Sequence, residues 1–231
     1  MALARVVIVD DEPSLIKFVS ANLRASGYDV LAATNGLDGI ERVKEWGPDL
    51  VLLDVSMPGM DGFEACIHIR QISDAAIIML TASCATGNKS RALELGADDY
   101  VTKPFGIREL MACMQAVMGR ASQAEPRCRR RDVIETGELS IDFDQRRVTF
   151  KGELVKLTPT EFRLLEELAT HSDRVLSERE LLSSIWGGEH RGEIEYVRAY
   201  MGRLRRKLEE DPANPAHFVT EPGAGYRFRA D

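Results

Sequence analysis

The sequence predicts an α/β doubly wound domain with a parallel five-stranded sheet, followed by a smaller α+β domain. Three observations predict it. Short apolar runs, VVIV at 6–9, LVLL at 50–53 and AIIML at 76–80, alternate with segments of helical periodicity. Such runs read as strands buried on both faces, as in a parallel sheet covered by helices. After residue 119 the alternation stops, and three helical stripes followed by a strand pair take its place.

The first helix carries Leu15, Ile16, Val19 and Leu23 on one stripe, with Pro13 suited to its first turn and Gly27 to its end. Leu37, Ile40 and Val43 form a second stripe, and Leu110, Met111, Met114, Val117 and Met118 form the last of this half. Five strands and five helices in alternation place ligands beyond the carboxyl ends of the strands, at a topological switch point. The stretch GRASQAEPRCRRRD, 119–132, has almost no apolar residues and reads as an exposed linker. The domains are therefore expected at 1–119 and 133–231, with the linker at 120–132. In the second domain strand-like runs fill 137–157. Thr158, Pro159 and Glu161 then make a capping box with proline at the first helical position, and Ser177 with Glu180 makes another. A third helix is expected from about Glu193 to Glu210, and HFVTEPGAGYRFRA closes the chain as a hairpin. Three helices and a terminal hairpin indicate a winged helix-turn-helix.

Composition narrows the function classes. The chain of 231 residues has a formal charge of −7. Residues 1–125 carry 11 basic against 17 acidic side chains, and residues 126–231 carry 19 against 20, so any nucleic-acid surface must be a local patch. No apolar stretch approaches the roughly 18 residues of a membrane span, and there is no leader pattern, so a soluble cytoplasmic protein without membrane association is expected. The four cysteines, Cys66, Cys84, Cys113 and Cys128, are scattered and lack the spacing of a zinc site or disulfide frame.

Candidate chemistry gathers at strand ends. Asp10 and Asp11 close the first strand, Asp54 closes the third, Thr81 the fourth, and Lys103 follows the fifth. Three neighbouring carboxylates repel unless a cation sits among them, and a hard divalent ion with oxygen ligands, usually Mg2+, relieves that. A remaining acid can act as a nucleophile. Phosphoryl transfer to it needs a cation on the spreading charge, here Lys103, and a hydroxyl on another oxygen, here Thr81, with small Ala82 leaving room. An Asp-Asp pair after a strand is ordinarily a polar loop. The joint occurrence of these residues at four strand ends is what points to a site.

VDDEP, LLDVSMPGMDG, MLTA and ADDYVTKPF, in order over residues 5–118, resemble the receiver domain of two-component response regulators, a flavodoxin-like fold. The resemblance implies Asp54 as phosphoacceptor and Asp10, Asp11, Asp54 and the Ser56 carbonyl as ligands of Mg2+ or Mn2+. It also implies Thr81 and Lys103 on the phosphoryl group, Tyr100 as a switching aromatic, and a cis peptide before Pro104. LTPTEFRLLEEL, YMGRLRRKLEEDP and GAGYRF are similar to the winged-helix effector domain of the OmpR/PhoB class.

On the third helix of the second half Val197, Met201, Leu204 and Leu208 share a core stripe, and Ala199, Gly202, Arg203 and Arg206 lie opposite. Small residues allow close approach to a groove, and arginine contacts phosphate or pairs with guanine. Arg198, Arg205, Thr220 and Arg227 complete the expected DNA contacts, with Arg203 expected to read bases and Arg206 phosphates. Pro222 occupies a wing position where several class members place an arginine. The resemblance also implies a sensor histidine kinase, promoter DNA with direct or inverted half-sites, and RNA polymerase as partners. It further implies a homodimer when phosphorylated, across the fourth helix, fifth strand and fifth helix. Lys89, Asp98, Asp99 and Glu109 would line that face, although Cys113 and Gln115 stand where basic partners are usual. Two other readings stay open: a constitutive DNA binder whose receiver does not switch, and an aspartyl-phosphate phosphohydrolase. The latter commonly needs a second Asp where this chain has Ser56.

Overall fold

Parallel pairing of five apolar strands builds the first unit of the computed structural model, which describes residues 3–82, 91–93, 95–118, 133–186 and 194–230. The elements are β1 (Arg5–Val9), α1 (Pro13–Ala25), β2 (Asp29–Ala33), α2 (Gly36–Trp46), β3 (Leu50–Asp54), α3 (Gly62–Ile72), β4 (Ala76–Thr81), β5 (Asp99–Thr102) and α4 (Ile107–Val117). The helix expected between β4 and β5 falls largely outside the described residues, as do Ser83, Cys84, Lys89, Cys128 and the linker. Strand order is β2-β1-β3-β4-β5, so the winding reverses between β1 and β3.

Alternate residues of each strand feed two apolar layers. Val7, Val9, Val51, Leu53, Ile77 and Met79 pack with Val43, Phe63, Cys66 and Ile69 from α2 and α3. Val6, Ile8, Leu50, Leu52, Ile78 and Leu80 pack with Val19, Leu23, Leu110, Met114 and Val117 from α1 and α4. Each fully buried side chain of this size contributes about 1.5 to 3 kcal/mol, which is why continuous apolar runs became central strands. Local signals set the helix ends. Pro13 opens α1; Asn35 and Asp61 accept the amides of Asp38 and Glu64 at 2.9 and 2.8 Å; Gly47 ends α2 in the left-handed region.

The described residues of the second unit, Gly119–Asp231, open with an antiparallel meander. Its strands are β6 (Val133–Thr136), β7 (Leu139–Asp142), β8 (Arg147–Phe150) and β9 (Glu153–Val155). Helices α5 (Pro159–Thr170), α6 (Glu178–Trp186) and α7 (Glu195–Leu208) follow, then the hairpin of β10 (Phe218–Glu221) and β11 (Gly225–Phe228). Both expected capping boxes form. Thr158 and Glu161 exchange amide bonds at 3.3 and 2.9 Å, and Ser177 and Glu180 do so at 3.2 and 2.8 Å. Leu176 forms an isolated antiparallel bridge with Tyr226 of the two-stranded hairpin. Gly225 is required there, because a Cβ would stand 2.0 Å from the Leu176 carbonyl oxygen.

Candidate functional site

Because β1, β3, β4 and β5 run parallel, their carboxyl ends open on one edge, and that edge gathers residues from four distant segments. Asp10, Asp11 and Asp54 bring carboxylate oxygens within 4.8 Å of one another. Asp10 and Asp54 are buried and Asp11 is exposed. Lys103 reaches between them, its Nζ 2.7 Å from Asp10 Oδ2 and 2.7 Å from Asp54 Oδ1. The Glu12 amide donates to Asp10 Oδ1 at 2.9 Å and the Ser56 amide to Asp54 Oδ2 at 3.1 Å. Thr81 is buried opposite Thr102 at the end of β4, and its carbonyl accepts the Lys103 amide at 2.7 Å. Tyr100, half-buried, packs against the α2/α3 layer of the core. The Lys103–Pro104 peptide is cis.

Burial pushes the Asp10 carboxyl above its usual range; Lys103 and the Glu12 amide oppose the rise, and the Asp54 charge adds to it. Burial acts on Lys103 in the opposite direction, but its bonds to Asp10 and Asp54 prevail and hold the ammonium above its ordinary value. The edge is thus built to favour a cation. An all-oxygen cluster with two buried carboxylates and one exposed suits a hard divalent ion, so these residues can coordinate one.

The turn after β3 keeps Asp54 reachable. Gly59 stands at φ +82°, and at Gly62 a Cβ would lie 2.1 Å from the Asp54 carbonyl oxygen. The start of α3 is therefore pressed against the strand that carries Asp54. Gly59 was legible from its Pro-Gly neighbourhood. The demand at Gly62 is tertiary.

The structure places two expected dimer-face residues, Asp98 and Asp99, inside the chain. Asp98 is fully buried and accepts Arg70 Nη2 and the Ile77 amide, the latter at 2.9 Å. Asp99 is 1 % exposed; it accepts its neighbour's amide at 2.8 Å and the Cys113 thiol at 3.3 Å. Both carboxylates are engaged inside the chain in this conformation. Glu109 is exposed and accepts the Gly106 amide at the start of α4, at 3.4 Å, while Lys89 lies outside the described residues.

The expected DNA contacts sort into three groups. Arg198 and Arg206 are exposed, Ala199 and Gly202 are partly so, and all four lie on one arc of α7. A methyl group at Gly202 would meet nothing within 4 Å among the described residues, so no described neighbour requires this glycine. Arg203 forms a second group: it is 6 % exposed, with its guanidinium 4.5 Å from the centre of the Tyr200 ring. Tyr196 and Tyr200 widen the buried arc beyond the aliphatic stripe by packing on Trp186, and that wider arc takes in position 203. The third group braces the hairpin. Arg205 donates from Nε and Nη2 to the Phe218 carbonyl at 2.9 and 2.5 Å and from Nη2 to Thr220 Oγ1 at 2.6 Å. Arg227 pairs with Glu221 across the strands.

Sequence reading missed Glu209. It is buried just past α7 and accepts the amides of Ala216, His217 and Phe218 at 2.9, 2.9 and 2.7 Å. Its neighbour Glu210 is exposed and similar in sequence, so nothing local told them apart.

Residues 6–115 match the response regulator receiver domain, and residues 152–228 match the transcriptional regulatory protein C-terminal domain. The chain belongs to the two-component response regulators of the OmpR/PhoB class: DNA-binding transcription regulators that join a phosphoacceptor receiver to a winged-helix effector domain. Among named relatives, it is 40 % identical to the transcriptional regulatory protein KdpE of Mycobacterium tuberculosis (strain H37Rv) over 225 residues, 97 % of this chain and 99 % of that one. It is 30 % identical to DrrB, an OmpR/PhoB homologue of Thermotoga maritima, covering 99 % of this chain and 100 % of that one with a TM-score of 0.52. A mutant of RitR gives a TM-score of 0.72 at 25 % identity, covering 99 % and 100 % of the two chains. Among the described residues no helix is long and apolar enough to cross a membrane.

Proposed function

We propose that this chain is a KdpE-type transcription regulator that accepts a phosphoryl group on Asp54 from a sensor histidine kinase, dimerises and binds promoter DNA. The observation that carries the reading is the ammonium of Lys103 held between Asp10 and Asp54, with Asp11 completing an open carboxylate cluster. In the transfer step a carboxylate oxygen of Asp54 attacks the phosphorus of a phosphohistidine. The phosphorus–nitrogen bond breaks, and its electron pair stays on the imidazole nitrogen, which gains a proton from solvent. Lys103 meets the charge spreading over the phosphoryl oxygens, and the Thr81 hydroxyl donates to one of them. Mg2+, held by Asp10, Asp11, Asp54 and the Ser56 carbonyl, supplies further charge neutralisation when bound.

Phosphorylation then favours one of two pre-existing receiver states through Thr81 and Tyr100, and a receiver dimer brings two effector domains onto adjacent half-sites of a promoter also engaged by RNA polymerase. Incubation with acetyl phosphate and Mg2+ is expected to add one phosphoryl mass to the wild type and none to Asp54→Ala. It should also tighten binding to duplexes that the wild type enriches from a randomised pool. Mass gain that survives Asp54→Ala would falsify the acceptor assignment, and binding indifferent to phosphorylation would leave a constitutive binder instead.

A further inference from the structure

Arg198 projects from the first turn of α7 with its side chain 63 % exposed, opposite Glu178 in the first turn of α6, whose side chain is 23 % exposed. Arg198 Nε donates to Glu178 Oε1 at 2.8 Å and Nη2 donates to Oε2 at 3.4 Å. Two donors meeting two oxygens define a side-on pair. A guanidinium has five N–H groups in a rigid plane, so this pairing occupies one edge and leaves further N–H groups, those of Nη1 among them, for a second acceptor. The cation shares its exposed arc of α7 with Ala199, Gly202 and Arg206.

Two physical consequences follow for a helix that meets DNA. An unpaired arginine samples many rotamers and captures any phosphate, whereas a clamped one offers a fixed fork matched to a bidentate acceptor such as the O6/N7 edge of guanine. The carboxylate also offsets one positive charge on the contacting face, which lowers the part of the affinity that is indifferent to sequence.

We propose that Glu178 is a positioning residue for DNA recognition, clamping Arg198 so that α7 presents one guanidinium edge to a base pair. The proposal rests on the reading of α7 as the DNA-contacting helix. Glu178 needs no contact with DNA itself. Its role is to turn a general phosphate binder into a reader of sequence.

The test compares wild type, Glu178→Ala, Glu178→Gln, Arg198→Ala, Arg198→Lys and the Glu178→Ala/Arg198→Ala double variant in the full chain. The probes are duplexes enriched by the wild type from a randomised pool and the unselected pool, each over a range of salt. Glu178→Ala is expected to bind the unselected pool more tightly and with a steeper salt dependence, while its preference for enriched duplexes falls by about tenfold. Glu178→Gln, which keeps an acceptor without the charge, should lie between. Arg198→Lys should lose the preference while keeping its binding to the unselected pool, because an ammonium has no fork. Removing Glu178 in the Arg198→Ala background should leave the preference unchanged.

If Glu178→Ala tightens both probes by the same factor, the carboxylate merely repels DNA and the clamp is refuted. The clamp fails equally if the substitution alters preference to the same extent with and without Arg198. A wild type that shows no preference for any duplex overturns the functional reading itself, whereas a wild type with preference that Glu178→Ala fully retains overturns the clamp alone.

Discussion

At the scale of single residues, Lys103 and Gly202 carry opposite lessons. Lys103 is the cation that two buried acids, Asp10 and Asp54, share, and removing it leaves carboxylates facing one another at a poorly hydrated edge. Lys103→Ala is expected to destabilise the receiver in metal-free buffer by on the order of 3 kcal/mol, with Mg2+ restoring part of the loss. Thermal unfolding with and without the ion reads this; an unchanged midpoint in both would mean the acids need no counter-charge. Gly202 gives the converse case. A helix-interior glycine costs up to about 1 kcal/mol relative to alanine, and a methyl there would meet nothing among the described residues. Gly202→Ala should therefore stabilise the effector unit slightly and weaken DNA binding, through the backbone approach that the glycine permits. Stabilisation with undiminished binding would show that α7 does not come close to DNA at this point. Asp10 and Asp54 were legible because each closes an unmistakable apolar run, whereas Lys103 follows DYVT, which is no such run, and was legible through the ADDYVTKPF motif. The burial of Arg203 was not, because it depends on two tyrosines whose ring packing against Trp186 periodicity alone does not disclose.

Among elements, the relation of α7 to the terminal hairpin is the most consequential. Two α7-associated side chains reach the same strand: Arg205 takes the Phe218 carbonyl and Glu209 takes the Phe218 amide together with two others. Opposite charges on consecutive turns thus hold both polar groups of one residue, and β10 is fixed in register beside the helix. Charge-assisted hydrogen bonds of this kind are each worth about 1.5 to 3 kcal/mol. Glu209→Ala should lower the stability of the effector unit by at least one such bond, measured by denaturant unfolding followed at Trp186, with the receiver transition unmoved. Arg205, expected as a DNA contact, braces the hairpin in this structure, and Arg205→Lys should loosen the hairpin while keeping the charge. The helices themselves were foreseeable from their capping boxes and stripes. Which helix face meets the hairpin was not, since Glu209 and Glu210 are alike until the chain folds back on one of them.

For the whole molecule, the proposed function makes association depend on phosphorylation of Asp54. The dimer face bears on how that association responds to salt. With Asp98 taken by Arg70 and Asp99 by Cys113, fewer carboxylates remain for ion pairs between subunits. Dimerisation of the phosphorylated chain is accordingly expected to weaken only shallowly as salt rises, as sedimentation at low and high ionic strength can read. A steep loss of dimer at high salt would show that these acids leave their internal partners on activation.

Through its motifs the sequence indicated the family, and by itself it determined three central strands, the chemistry at their ends and the capped helices. These follow from local rules: apolar runs must be buried, capping residues must satisfy free amides, and strand ends must emerge where the strands stop. Only the tertiary structure decided that Asp98 and Asp99 are engaged internally, that Arg203 is covered, that Glu209 latches the hairpin and that Glu178 clamps Arg198. Each of those outcomes joins charged groups separated along the chain to partners chosen by packing, and a side chain's partner is set by what the fold brings beside it.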